Sequence, residues 1–341
     1  MSRLMIPRPI SGGLILSYKC QARCRHCIYA CSPDWKADWI PEDVLEKGLA
    51  QLRGKIQPSP WGPEAVGLND GLHFTGGEPF LNFKLLLKAV ELAEAFDIPS
   101  TFVETNSAWC VDDQSTMDKL RRLREAGLKG IMISVNPFYA EYVPFERTER
   151  CIQISQDVFG QQNMMVYQQE YYYQFQRLGI RDKLSIEEYA ELARDDRFLG
   201  RVELFFMGRA TSQLKAFYPT YPAQVFFDMP CQPPLLREWH NHFDNYGNYM
   251  PGFCGGISLG SWLELDSLLE EGIDLKDRPV LGFLAAEDME GLFRFARDLG
   301  YEEAESGYLS KCDLCTDLRR HLASVGDFAE LSPKAFYEHL A

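Results

Sequence analysis

Residues 13–27 read GLILSYKCQARCRHC: an apolar run over 13–18, then three cysteines, Cys20, Cys24 and Cys27. The run has the length and β-favouring composition of a buried strand. The cysteines follow it in a Cys-x3-Cys-x2-Cys pattern. Three thiolates this close cannot bond one another without strain, but they can wrap one face of a [4Fe–4S] cluster, which takes four ligands. Three ligands leave one iron open, and an open iron can hold a substrate. Soft thiolates also favour zinc, whose closed sites want four ligands, usually two Cys-x2-Cys pairs. Cys31 follows closely and would fill the open position if it joined the set.

Working outward, short apolar runs alternate with helical patterns. Strands are expected at 13–18, 72–75, 98–104, 131–135, 164–167 and 202–207. Helices are expected at 42–53, with Pro41 at its start, and at 83–96, 117–126 and 149–159. Gly127 stops the third of these, and Ser185 caps a further helix that runs to 194. Six β-then-α units predict a parallel sheet with helical crossovers, a partial (β/α)6 barrel of the α/β class. Chemistry in such sheets gathers at the carboxyl ends of the strands. Pro219, Pro222, Pro230, Pro233 and Pro234 mark a linker. Beyond it lie an aromatic hairpin-like stretch at 239–249, helical segments at 263–271 and 287–299, and a Cys-x2-Cys pair. Two domains follow from this pattern, 10–215 and 216–341.

With 341 residues, 46% of them hydrophobic, the chain can bury a sizeable core. Its formal net charge of −14 argues against a nucleic-acid or anionic-membrane partner, since phosphate binding needs clustered Lys and Arg. No apolar run approaches the roughly 18 residues of a membrane span, and the first ten residues lack the apolar core of a signal peptide. Ten cysteines without a secretory signal predict a reducing, cytoplasmic setting, where clustered cysteines hold metal more often than they form disulfides.

The cysteine loop, with His26 just before Cys27, resembles the cluster loop of the radical S-adenosylmethionine (SAM) superfamily. After the second expected strand, Thr75-Gly76-Gly77-Glu78-Pro79 is similar to that superfamily's GGEP motif. The resemblance covers roughly residues 10–210. It implies that SAM chelates the open iron and that Gly76 and Gly77 let backbone groups approach its methionyl amino end, with Glu78 beside the cationic amine. It also implies ribose and carboxylate contacts at Asn106, in Glu104-Thr105-Asn106, and at Ser134 and Asn136, in Ser134-Val135-Asn136; the other reading of these residues is as polar strand-end caps and turns. The family often has Asp where Asn136 stands. Arg209, in Met207-Gly208-Arg209-Ala210, reads equally as a partner for SAM's carboxylate or as part of an ion pair. A flavodoxin or ferredoxin is the implied electron donor.

Cys231, Cys254, Cys312 and Cys315 remain in the C-terminal third. They suffice to close a second [4Fe–4S] cluster or a zinc site. With the aromatic stretch 244–251 they resemble the auxiliary-cluster extensions called SPASM and Twitch. No cysteine follows Cys315, so the one-cluster Twitch type is the nearer match. His240 and His242 share one face of the expected hairpin, either as a base or as packing residues. Cys110 and Cys151 read as buried thiols or hydrogen-atom donors, and Tyr171–Tyr173 as pocket lining or packing.

Two reaction classes compete. One is oxidation of a small molecule or side chain, with the auxiliary cluster accepting the electron. The other is modification of a ribosomally made peptide by a cross-link, a thioether or epimerisation. The early first strand leaves no room for a leader-binding domain before it, which tilts the expectation to oxidation. A non-catalytic iron–sulfur or zinc protein is the remote third class.

Overall fold

A computed structural model of the chain describes residues 3–194 and 198–340. It divides into two compact units. The sheet unit comprises Ile10–Cys24 and Cys31–Leu204. The cysteine-rich unit comprises the described residues up to Pro9, Arg25–Ala30 and those from Phe205 onward.

The short strand β1 (Arg3–Leu4) belongs to the cysteine-rich unit. The sheet unit then alternates strand and helix through β2 (Gly12–Ile15), α1 (Glu42–Leu52), β3 (Leu72–Thr75), α2 (Phe83–Ala95), β4 (Phe102–Thr105) and α3 (Asp113–Glu125). It continues through β5 (Gly130–Ser134), the single turn α4 (Pro137–Ala140), α5 (Phe145–Phe159), β6 (Met164–Tyr167), α6 (Gln169–Leu178) and α7 (Ile186–Ala193). Strands β2 to β6 make a parallel sheet in which each lies beside the next in the chain. This is the α/β architecture that the alternating pattern predicts.

Parallel strands need crossovers long enough to hold a helix, and those helices cover the sheet. Every residue of β2, β3 and β5 is accordingly buried. Val66, Phe102 and Met132 form one part of this core, with Met165 and Tyr167 of β6 packed against it. Side chains fix the helix starts. Asp112 accepts from Ser115 N at 2.8 Å to open α3, and Ser185 with Glu188 forms a reciprocal capping box on α7. Gly127, at φ +112°, follows the end of α3 as expected.

The sixth strand does not form: 202–207 is irregular. The residues there favour a strand, but a strand exists only through a neighbour's backbone. Gln168 Nε2 donates to Glu203 O at 3.3 Å, and Tyr167 Oη donates to the Glu203 carboxylate at 2.7 Å. The Gln168 side chain therefore occupies a backbone carbonyl that a ladder would have used. The helix α6, which holds Tyr171–Tyr173, was not apparent from the sequence. Tyr171 and Phe175 form its buried side, so packing is the role seen for Tyr171.

The cysteine-rich unit continues with α8 (Ala210–Gln213), α9 (Gln232–Leu235), β7 (Asn241–Phe243), β8 (Tyr249–Met250) and α10 (Leu265–Glu271). It ends with β9 (Ile273–Asp274), α11 (Pro279–Ala285), α12 (Met289–Asp298), α13 (Lys311–Val325) and α14 (Ala335–Glu338). β7 and β8 form the expected antiparallel hairpin, and β1 pairs antiparallel with β9. Asp244 organises the hairpin turn, its Oδ1 accepting from Tyr246 N and Asn248 N at 3.0 and 2.8 Å. Among the described residues no helix is long and apolar enough to cross a membrane.

Phe74 is wholly buried in β3, which lies between β2 and β4 in the parallel sheet. Phe74→Ala is expected to cost about 3–5 kcal/mol in urea unfolding, the usual range for emptying a core aromatic site.

Candidate functional site

The sheet unit brings the end of β3 onto the start of the cysteine loop. Gly77 N donates to Ser17 O at 2.9 Å, and Glu78 N donates to Lys19 O at 3.1 Å. This backbone-to-backbone contact is possible because neither residue 76 nor 77 has a side chain. A Cβ on Gly77 would stand 1.9 Å from Lys19 O, and one on Gly76, at φ +128°, would stand 2.3 Å from Ser17 O. The glycine pair thus fits the loop that precedes Cys20.

Around Cys20 the polar groups face the sulfur. Ala22 N and Asn106 Nδ2 both donate to Cys20 Sγ, at 3.5 and 3.6 Å. Gln21 Nε2 holds the Asn106 amide oxygen at 2.8 Å. The Cys20 thiol itself donates to Gln21 Oε1 at 3.7 Å. Cys20 and Cys24 are buried. The Cys31 thiol donates to Gly76 O at 3.4 Å.

The Glu78 carboxylate faces inward and is engaged within the protein. It is 1% exposed. Its oxygens accept from Phe80 N, Thr105 Oγ1 and Asn106 N at 3.0–3.2 Å. Glu78 therefore ties the loop after β3 to the loop after β4. Burial pushes its carboxyl up to about 7, against the pull of the hydrogen bonds from Asn106, Phe80 and Thr105. Pro79 opens the tight turn Pro79–Asn82 and is buried. Thr75 Oγ1 donates to Glu104 at 2.7 Å, and Glu104 also lies 3.4 Å from His73 Nε2.

Asn136 is fully buried. Its Oδ1 caps α4 by accepting from Phe138 N and Tyr139 N at 3.0 and 3.2 Å, while Nδ2 donates to Gln168. Ser134, at the end of β5, is buried and lies opposite Tyr167 of β6.

Cys27 and His26 belong to the cysteine-rich unit, as does Arg209. Arg209 N donates to Cys27 O at 3.0 Å, and its guanidinium donates to Ala30 O at 2.6 Å. It is buried, so its observed role is to brace residues 27–30 and not to form a surface ion pair. Gly208, at φ +56°, allows the approach, because a Cβ there would meet Ile28 O at 2.2 Å. Burial, and then the Arg209 charge, holds the His26 imidazole neutral, down to about 3.

Cys231, Cys254, Cys312 and Cys315 line one cavity within the cysteine-rich unit, together with Phe253 and Ile257. Cys254 follows the hairpin in a turn closed by its own N–H to Pro251 O at 3.0 Å. Cys312 and Cys315 lie in the first turns of α13, whose start is capped by Ser310 accepting from Asp313 N at 3.1 Å. The spacing of three sets both thiols on one helix face, and the helix N-terminus favours negative charge there. Burial, reinforced by the neighbouring cysteines, pushes Cys231, Cys254 and Cys312 up to about 12. Lys311, Arg319 and Arg237 act the other way. Four soft donors converging beside cations fit a metal centre that displaces the thiol protons.

The cations around this centre escaped the sequence reading. The one available signal was Arg319, four residues after Cys315, which matters only once 311–325 is known to be a helix. His240 and His242 pack together at 5.3 Å, and His242 Nδ1 lies 2.8 Å from Gly252 O and 2.9 Å from Tyr29 Oη. Cys110 and Cys151 are fully buried.

No protein-family model matches the chain. Over 129 residues it is 23% identical to a Bacillus subtilis (strain 168) protein described as "Putative peptide biosynthesis protein YydG". The match takes in 38% of this chain and 36% of that protein, so it spans about a third of the relative's length. Among solved structures, BtrN in complex with AdoMet and 2-DOIA aligns at a TM-score of 0.47 and 13% identity, over 85% of this chain and 91% of that one. Native anSMEcpe with bound AdoMet aligns at 0.44 and 14%, over 92% and 96%.

Gly77→Ala is expected to lose about 1–3 kcal/mol in urea unfolding, because the loops must part to admit a methyl group. Gly282→Ala is the control: a Cβ there meets nothing within 4 Å, and stability is expected to hold or rise slightly. Glu78 supplies a pH dependence. Its folded pKa, about 7, lies above the ordinary 4.5, so the folded state binds its proton more tightly. Its contribution is fully present below pH 4.5 and falls as pH rises to about 7. Unfolding free energies measured across that window are expected to decline with pH, and the profile of Glu78→Gln to be flatter.

Proposed function

We infer that this chain is a radical SAM enzyme with two iron–sulfur centres, one open and one closed. The observation that carries the reading is the difference in cysteine number: three in the loop after β2, against four around one cavity in the cysteine-rich unit. When bound, the open centre and SAM supply a 5′-deoxyadenosyl radical and methionine after one electron from a flavodoxin- or ferredoxin-type donor.

In this reading Cys20, Cys24 and Cys27 hold the open cluster. Ala22 N and Asn106 Nδ2 stabilise the Cys20 thiolate by donating to it. Gly76 and Gly77 give the loop its backing, and Glu78 keeps Asn106 in place through the Asn106 amide. Arg209 braces the segment that follows Cys27. Cys231, Cys254, Cys312 and Cys315 leave their cluster no open iron, which suits electron transfer better than substrate ligation. A cluster held by these four cysteines would take the electron left when the substrate gives one hydrogen atom to the radical and a proton to solvent, so the net reaction would be an oxidation. A small molecule or a side chain carrying an oxidisable C–H bond fits this balance.

The second reading is that the substrate is a peptide. The partial match to the Bacillus subtilis protein named for peptide biosynthesis favours it. Both readings share the same radical step and differ in what is presented to it.

Anaerobically reconstituted protein is expected to bind about eight irons per chain. About four irons with one zinc would defeat the electron-acceptor role. Reduced protein given SAM should release 5′-deoxyadenosine, detected by chromatography, and Cys24→Ala should abolish that release. Unchanged release from the variant would overturn the assignment of the open cluster.

A further inference from the structure

Arg319 stands one helical turn beyond Cys315 on α13 and lines the same cavity as the four cysteines. It is 4% exposed. Nη1 donates to Gly255 O and to Tyr337 Oη, both at 2.9 Å, and Nη2 donates to Thr316 Oγ1 at 3.2 Å. Tyr337 Oη passes its own proton to Gly256 O at 2.6 Å. Every one of these acceptors is neutral. Among the described residues no carboxylate pairs with Arg319, and its buried Nε has no partner of hydrogen-bond geometry.

Burying a guanidinium among neutral acceptors alone is costly, and negative charge beside it offsets that cost. The groups it shares the cavity with are thiols, which become the anionic shell of a centre when they bind metal. The two flanking loops explain how the cation is held there. Gly255 and Gly256 pack so tightly on Phe336 and Tyr337 that a Cβ on either would stand under 3 Å from a ring carbon. The acceptors Gly255 O and Tyr337 Oη are thereby held together, and Arg319 Nη1 donates to both. Arg319 has little freedom to turn away from Cys315.

We propose that Arg319 is the resident counter-cation of the four-cysteine centre, directed at the Cys315 sulfur, and that it raises the reduction potential of that centre. The inference rests on reading the centre as an iron–sulfur cluster. Adding an electron makes the cluster more negative, so a fixed neighbouring cation favours the reduced form. Arg319 would then make the closed cluster a better electron acceptor without touching substrate. Protein hydrogen bonds and local charge are recognised levers on such potentials.

The test is a redox titration of the holoprotein followed by electron paramagnetic resonance. Arg319→Gln is expected to lower the auxiliary potential enough to change the reduced-to-oxidised ratio at fixed poise at least tenfold, about 59 mV for a one-electron couple. Arg319→Lys, which keeps the charge, is expected to restore most of the shift. A merely structural role predicts loss of iron in both variants, with the potential of the remaining clusters unmoved, and that result overturns the inference. Where Arg319→Gln does not retain the cluster, the unaltered holoprotein carries the test. Grown on nitrogen-15 arginine, it should show a nitrogen-15 coupling to the reduced auxiliary cluster that Arg319→Lys lacks, and no such coupling also overturns the inference. About four irons with one zinc in the unaltered protein overturns the cluster reading itself, which separates that failure from failure of the inference at full iron content.

Discussion

Two backbone hydrogen bonds, Gly77 N to Ser17 O and Glu78 N to Lys19 O, fix the geometry on which the cysteine loop depends. Loops at strand ends are free to wander unless something rigid holds them. Here the backing is a neighbouring strand end, brought so close that only glycine fits at the contact. Glu78 extends the same brace sideways, because its buried carboxylate collects donors from the loop after β4. The chain accepts the cost of burying an acid in exchange for joining two loops that no sheet ladder reaches.

The Gly-Gly-Glu-Pro segment therefore does structural work that its resemblance alone did not reveal. Its glycines fit the cysteine loop, and its acid faces inward. Asn136 and Arg209 follow the same pattern. Both are polar residues near strand ends, and both are buried, with Asn136 Oδ1 accepting from backbone N–H groups and the Arg209 guanidinium donating to a backbone carbonyl. A sequence shows that a polar residue stands at a strand end. Which way it turns depends on donors and acceptors contributed by distant segments, such as the Ala30 carbonyl for Arg209.

Elements with strong local signals were legible. The strands at 72–75 and 164–167 coincide with the expectation, and Ser185 caps α7 with a side-chain bond that its type predicts. The failures share one cause. Residues 202–207 have strand-forming side chains and no ladder, since strand formation is decided by a partner. α6 is hard to read because Tyr and Phe carry weak helical propensity, and in α13 good helix formers such as Leu314, Leu318 and Arg319 are interrupted by Cys, Asp and Thr. Within the candidate site, the cysteines were visible by spacing. The cations beside them were not, because charge surrounding a centre is assembled from helix, loop and hairpin.

α13 gives the four-cysteine cavity a dependence on helical phase. Cys312, Cys315 and Arg319 share a face only because they are three and four residues apart. Each residue advances the helix by about 100°. Substitutions on the outer face leave that phase untouched, whereas inserting or deleting a single residue between Cys315 and Arg319 would swing the guanidinium to another side of the helix while every side chain remained present. The tolerance of this segment to evolutionary change is thus set by length: it can drift in composition, but its count of residues is locked.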